Sequence, residues 1–196
     1  MRKSPAETGI FVWSPEAYYY ENSRGKTAFV GGDYRWLVDG GEGGRNLDAR
    51  TLFSYQAAVN TPAMVLKIPG VGSQYVYTEQ DADGNYLDGA RNYRLRIPAN
   101  VPAKDFWSVV LYEPQTRSEL QTSQAFPSKN NKRDALVTNA DGSVDLYFGP
   151  TVPPGKESNR IQSVPGKGWY TILRLYGPLA SWFDKTWRPG EIEPVH

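Results

Sequence analysis

One stretch constrains the fold of this chain more than any other. Trp169-Tyr170-Thr171-Ile172-Leu173-Arg174-Leu175-Tyr176 is a run of aromatic, aliphatic and β-branched residues, bounded by Gly168 before it and Gly177-Pro178 after it. Such a run between turn formers reads as a β-strand. Alternation puts Trp169, Thr171, Leu173 and Leu175 on one face and Tyr170, Ile172, Arg174 and Tyr176 on the other. The first face is core. The second is mostly apolar but carries one guanidinium, so the strand belongs in the middle of a sheet, with Arg174 either paired under a cover or lining a cleft.

The rest of the chain supplies partners for that strand. Gln74 to Gln80 alternates, Asp81-Ala82-Asp83-Gly84 turns, and Asn92 to Ile97 alternates again, with Tyr93, Leu95 and Ile97 inward and Arg94 and Arg96 outward. Phe106 to Tyr112 is apolar on both faces and hence central. Ala135 to Asn139 and Ser143 to Phe148 flank Ala140-Asp141-Gly142 and read as a hairpin. Ahead of these strands, Asn46 or Asp48 can cap a helix in which Leu52, Tyr55 and Val59 share a face, ended by Pro62; behind them, Leu179 to Lys185 reads as a short helix. Strands without alternating helices point to a mainly β chain, an antiparallel jelly-roll-like β-sandwich with one helix before and a short helix after the sheet strands.

Residues 1–45 read as an arm with glycine-rich loops, and residues 46–196 as the sandwich domain. The arm carries Phe11-Val12-Trp13 and Tyr18-Tyr19-Tyr20, clusters that need burial on the domain, on a second copy of the chain, or on a segment outside this sequence.

Composition excludes several chemistries. With 22 basic and 21 acidic residues there is no charge excess to recruit nucleic acid or an anionic membrane surface. No cysteine is present, which removes disulfides, thiolate nucleophiles and thiolate metal sites together. The single histidine is the terminal His196, so imidazole catalysis has no internal residue to use and a serine triad lacks its base. No apolar segment follows Arg2 and Lys3 as in a secretory signal, and no run approaches the roughly 18 apolar residues of a membrane span. The expectation is a soluble chain, cytoplasmic by default and periplasmic or secreted if a leader has been removed.

Short motifs add little chemistry. Asp81-Ala82-Asp83-Gly84-Asn85 superficially resembles a calcium loop, but its glycine comes too early and Asn92 stands where a bidentate glutamate is needed, so a tight turn explains it. Lys129, Lys132 and Arg133 lie among Ser128, Asn130, Asn131 and Asp134 and read as a solvated loop. Gly40 to Gly44 lacks the lysine of a phosphate-binding loop. No metal and no cofactor is implied. What remains is carboxylate, tyrosine and arginine chemistry. Arg174, Tyr176 and Tyr170 on the central strand, with Tyr112 on the other, are the ligand-binding candidates; no catalytic residue is identified. The competing reading of Arg174 is a paired, partly buried arginine that fixes strand register.

Leu87-Asp88-Gly89 ahead of Tyr93, Phe106-Trp107-Ser108, Leu111-Tyr112, Asn139-Ala140-Asp141-Gly142-Ser143 and Arg174-Leu175-Tyr176-Gly177-Pro178 together resemble the bacterial domain of unknown function numbered 1214, over roughly Asp81 to Pro189. The resemblance implies a jelly-roll sandwich, in agreement with the alternation, and in longer relatives a preceding partner domain numbered 1254. One departure is Asn159-Arg160, where the family often carries Asn-Trp. Three functions stay open. They are a module that binds a small or saccharide-like ligand or a partner domain, a metal-independent glycoside hydrolase or lyase, and a purely structural half of a larger assembly.

Overall fold

The computed structural model describes residues 17–27, 44–47, 50 and 67–195. Nine strands are described: β1 (Lys26–Thr27), β2 (Ser73–Thr78), β3 (Asn92–Ile97), β4 (Ala103–Tyr112), β5 (Ser128–Asn130), β6 (Val144–Phe148), β7 (Arg160–Ile161), β8 (Tyr170–Pro178) and β9 (Ile192–Val195). They form two sheets, ordered β1-β2-β8-β4-β5 and β7-β6-β3-β9. All pairs are antiparallel except β6 with β7, so the second sheet is mixed. The strand that opened the sequence argument is β8. It is central, held by β2 on one side and β4 on the other.

The expected alternation of β8 holds: Trp169, Thr171, Leu173 and Leu175 are buried, while Tyr170, Ile172, Arg174 and Tyr176 are half-buried on the opposite face. The inward residues join Trp107, Val109 and Leu111 of β4 and meet Tyr93, Leu95, Ile97, Leu146 and Phe148 of the second sheet in one apolar cluster. Trp169 closes one end of it, edge-on to Tyr93 with centroids 5.7 Å apart and tilted on Phe148 at 5.0 Å. Arg94 and Arg96 point outward as expected and bridge Glu193 and Asp141. Such exposed ion pairs add little stability.

One expected element changes, and another falls largely outside the described residues. Residues 135–139 are not a strand, and β6 pairs instead with β3 and β7. The turn at Ala140-Asp141-Gly142 is present, with Asn139 N–H donating to the Ser143 carbonyl at 2.8 Å and Gly142 at φ 80°. The strand fails because a side chain takes its backbone groups. The fully buried Asn159, in a 3-10 turn (Glu157–Asn159), accepts from Val137 N–H at 2.8 Å and donates through Nδ2 to the carbonyls of Val137 and Asp145, each at 2.8 Å. Of the helix expected to start near Asn46, residues 46, 47 and 50 are described, with Arg50 N–H donating to the Asn46 carbonyl at 3.2 Å, and the rest lies outside the described residues.

Behind the sheets, the expected short helix is a single turn, α1 (Ala180–Phe183). Its buried Trp182 stacks on Tyr19 with centroids 4.4 Å apart, and Tyr19 Oη donates to the Trp182 carbonyl at 2.6 Å. Of the arm's aromatic clusters, Tyr18 to Tyr20 therefore pack on the domain, with β1 continuing the five-stranded sheet; Phe11 to Trp13 lie outside the described residues. Among the described residues no helix is long and apolar enough to cross a membrane.

Candidate functional site

The outer face of the five-stranded sheet gathers the predicted residues. Register sets Tyr75 of β2 and Ser108 of β4 on either side of Arg174, and Ser73 and Phe106 on either side of Tyr176. The Arg174 guanidinium carbon lies 4.8 Å from the ring centre of Tyr75 and 5.1 Å from that of Tyr176, and Nη2 donates to Tyr75 Oη at 3.3 Å. Phe106 stacks on Tyr176 at 4.0 Å, nearly parallel at 13°. Farther along the face, Tyr112 stacks on Tyr170 at 5.2 Å. The sheet thus divides the four candidates into two groups: Arg174 with Tyr176, and Tyr112 with Tyr170. Tyr75 and Phe106 join the first group. Both lie in strands visible in the sequence, but the register that brings them to Arg174 is not.

Arg174 has no carboxylate partner among the described residues, and its Nε is closed to solvent without a hydrogen-bond acceptor. A cation held by two ring faces gains from their quadrupoles, yet keeps an unanswered charge. Burial raises the Tyr112 phenol above its ordinary range, with Arg174 pulling the other way, and pushes Tyr170 up to about 12, reinforced by Tyr112. Neither phenol is prepared to act as a base near neutrality.

A second feature lies where β2 and β4 end and β8 begins. A cleft of about 850 Å³ opens there, with Glu79, Asp88, Glu113, Glu119, Lys167 and Trp169 in its walls. None of the four sequence candidates is among its described lining residues. Glu79 is buried and paired with the buried Lys26, whose ammonium is pulled below its ordinary range by burial against the opposing influence of Glu79. Burial acts to raise the Glu113 carboxyl, but hydrogen bonds from Thr116 and Gln115 prevail and hold it low.

The remaining motifs are structural. Asp81 Oδ1 accepts the Asn85 N–H at 2.8 Å and Gly84 takes φ 86°, the geometry of a capped turn. Among the described residues no group of three or more histidine or carboxylate side chains is placed to hold a metal. Arg133 donates to the Ser128 carbonyl and to Asp134, folding the basic loop on itself. Arg160, at the position where the family often has tryptophan, donates to the carbonyls of Gly149 at 3.1 Å and Pro150 at 2.6 Å, so its guanidinium ties down the loop after β6.

Two packed sheets, one with aromatic side chains around an arginine on its outer face, define a mainly β domain. The chain belongs to the family described as "Protein of unknown function (DUF1214)", which matches residues 72–180. That span begins and ends about nine residues earlier than the motifs place it. Among solved structures, the VPA0106 protein of Vibrio parahaemolyticus is similar at 22% identity and a TM-score of 0.59, covering 84% of this chain and 39% of that one. An uncharacterized protein from Burkholderia cenocepacia aligns at 18% identity and a TM-score of 0.39, covering 67% of this chain and 32% of its own. This chain therefore spans well under half the length of either solved relative. No curated protein matches the sequence.

Proposed function

We propose that the chain is a non-catalytic binding module, a jelly-roll-like sandwich whose aromatic sheet face receives the carboxylate of an acidic, saccharide-like small molecule at Arg174. The observation that carries this reading is the guanidinium between Tyr75 and Tyr176 with no counter-charge among the described residues and an unsatisfied Nε. A ligand carboxylate would supply the counter-charge. The stacked pairs Phe106–Tyr176 and Tyr112–Tyr170 offer flat surfaces for the apolar face of a sugar ring. The raised phenols of Tyr112 and Tyr170 weigh against a lyase that needs a tyrosine base. A glycosidase needs two carboxylates flanking the bond. Among the described residues lining the cleft, Glu79 alone is a buried carboxylate, and it is tied to Lys26.

One observation favours a second reading, in which the same face docks a partner domain: the Vibrio relative is much longer than this unit. In that reading residues 1–45 are an arm at the junction, its described part already packed on the domain.

The test is to titrate galacturonate and galactose into the parent protein, Arg174→Met and Arg174→Ala, beside thermal melts of all three. Losing two cation–ring contacts costs about 1–2 kcal/mol, a fall of about 2–8 °C for a chain of this size. Both variants should stay folded and lose galacturonate. Unfolding at room temperature would identify Arg174 as a structural residue, and a parent that binds neither sugar would move the face to the partner-domain reading.

A further inference from the structure

The cleft at the β2, β4 and β8 ends holds an unexplained pair of polar atoms. Glu79 Oε2 and Trp169 Nε1 belong to residues only 3% and 1% exposed, both lining the cleft, and neither atom has a hydrogen-bond partner among the described residues. One is an acceptor and the other a donor. Buried polar groups in native proteins are nearly always paired, so two orphan atoms in residues that line one cavity point to a partner supplied from it. Their complement is a group that both donates and accepts, such as a hydroxyl, or an amine beside a hydroxyl.

Charge narrows the choice. Asp88, Glu113 and Glu119 face the same space as Glu79, against Lys167, while Lys26 answers Glu79 from behind. The side chains of Asp88 and Glu119 belong to exposed residues, and among the described residues no lysine or arginine is paired with either. The cleft is therefore negative where a ligand enters. A volume of about 850 Å³ falls in the usual range of small-molecule sites, roughly 300–1,000 Å³, and admits more than one sugar ring.

We propose that this cleft binds a polyhydroxylated ligand carrying a protonated amine, of the amino-sugar class, with Glu79 Oε2 and Trp169 Nε1 engaged by its polar groups and Asp88 and Glu119 facing its ammonium. The site is separate from the Arg174 face and has the opposite preference: the face takes an anion, the cleft a cation. Neither orphan atom is open to solvent, so engaging them requires a side-chain movement in the wall. The Trp169 indole N–H reports that movement directly.

The experiment follows the tryptophan indole N–H resonances of the whole chain by NMR while glucosamine, glucose or glucuronate is added. Trp169→Phe identifies the resonance that belongs to Trp169. Glucosamine should move it, with an affinity about tenfold above glucose, and glucuronate should leave it in place. Glu119→Gln, a change at an exposed rim residue that leaves the core untouched, should weaken glucosamine about three- to tenfold. An unmoved Trp169 resonance with all three sugars overturns the proposal, as does glucuronate binding at least as well as glucosamine, or Glu119→Gln leaving the affinity unchanged. Arg174→Met should not alter glucosamine binding, which separates failure here from failure of the sheet-face reading.

Discussion

Replacing Asn159 with alanine should destabilise the protein far more than its loop position implies. Its carboxamide makes three hydrogen bonds of 2.8 Å, one of them fully buried on the Asp145 carbonyl and two partly buried on Val137. Removing the buried bond leaves a desolvated carbonyl one partner short, about 1–2 kcal/mol; the two at Val137, where water can enter, add about 0.5–1 kcal/mol each. The sum is about 2–4 kcal/mol, or a melting point lowered by about 5–15 °C for a chain of this length. Thermal unfolding gives the total. Hydrogen exchange at the Val137 amide gives the local part, since that N–H loses its acceptor. Asn159→Asp keeps the acceptor for Val137 N–H but turns a carboxylate oxygen on the two carbonyls, so it should be at least as damaging as alanine. A loss below about 1 kcal/mol, with Val137 exchange unchanged, would refute the idea that one side chain replaces a strand here.

Gly89 lies where a methyl group has no room, because an added Cβ would come within 2.0 Å of the Val164 carbonyl oxygen and 2.8 Å of that of Lys167. Both are backbone atoms, so Gly89→Ala should lower the urea midpoint by the equivalent of about 2–3 kcal/mol, and an unchanged midpoint would mean that the loop at Val164 yields freely. Asp141 accepts from the Ser143 hydroxyl and amide and from Arg96, which holds its carboxyl at about 2. Its folded pKa lies below its unfolded one, so its contribution is present above about pH 4 and lost as pH falls toward 2. Asp141→Asn should therefore flatten the acid limb of the stability curve in that window, and melts at stepped pH would show the limb unaltered if the reasoning is wrong.

How much of this was legible beforehand depends on the range of the interaction involved. The faces of β8 and β3 follow from alternation alone, which is a local property of the chain, and both came through residue by residue: Leu173 and Leu175 in, Arg174 and Tyr176 out, Arg94 and Arg96 out. The expected hairpin at residues 135–148 failed for a nonlocal reason. Its turn chemistry was right, but Val137 is answered by Asn159, 22 positions away, and no pattern in residues 135–139 signals that. The Arg174 face was half legible, since the strand announces the arginine and its flanking tyrosines, whereas Tyr75 arrives through a register of 99 positions. The cleft was not legible at all. Its walls come from three loops at the ends of three strands, and its two orphan atoms sit in residues with ordinary roles, Trp169 as core and Glu79 as the partner of Lys26. An unsatisfied atom is a property of what surrounds it, so only the assembled fold can reveal it. For that reason the two sites stand on different footings: the sheet face extends an argument from sequence, and the cleft rests on the packing and charge of the assembled fold. If the cleft binds its amine and the face proves structural, Arg174 keeps the register role that a half-buried arginine between two rings can fill without any ligand.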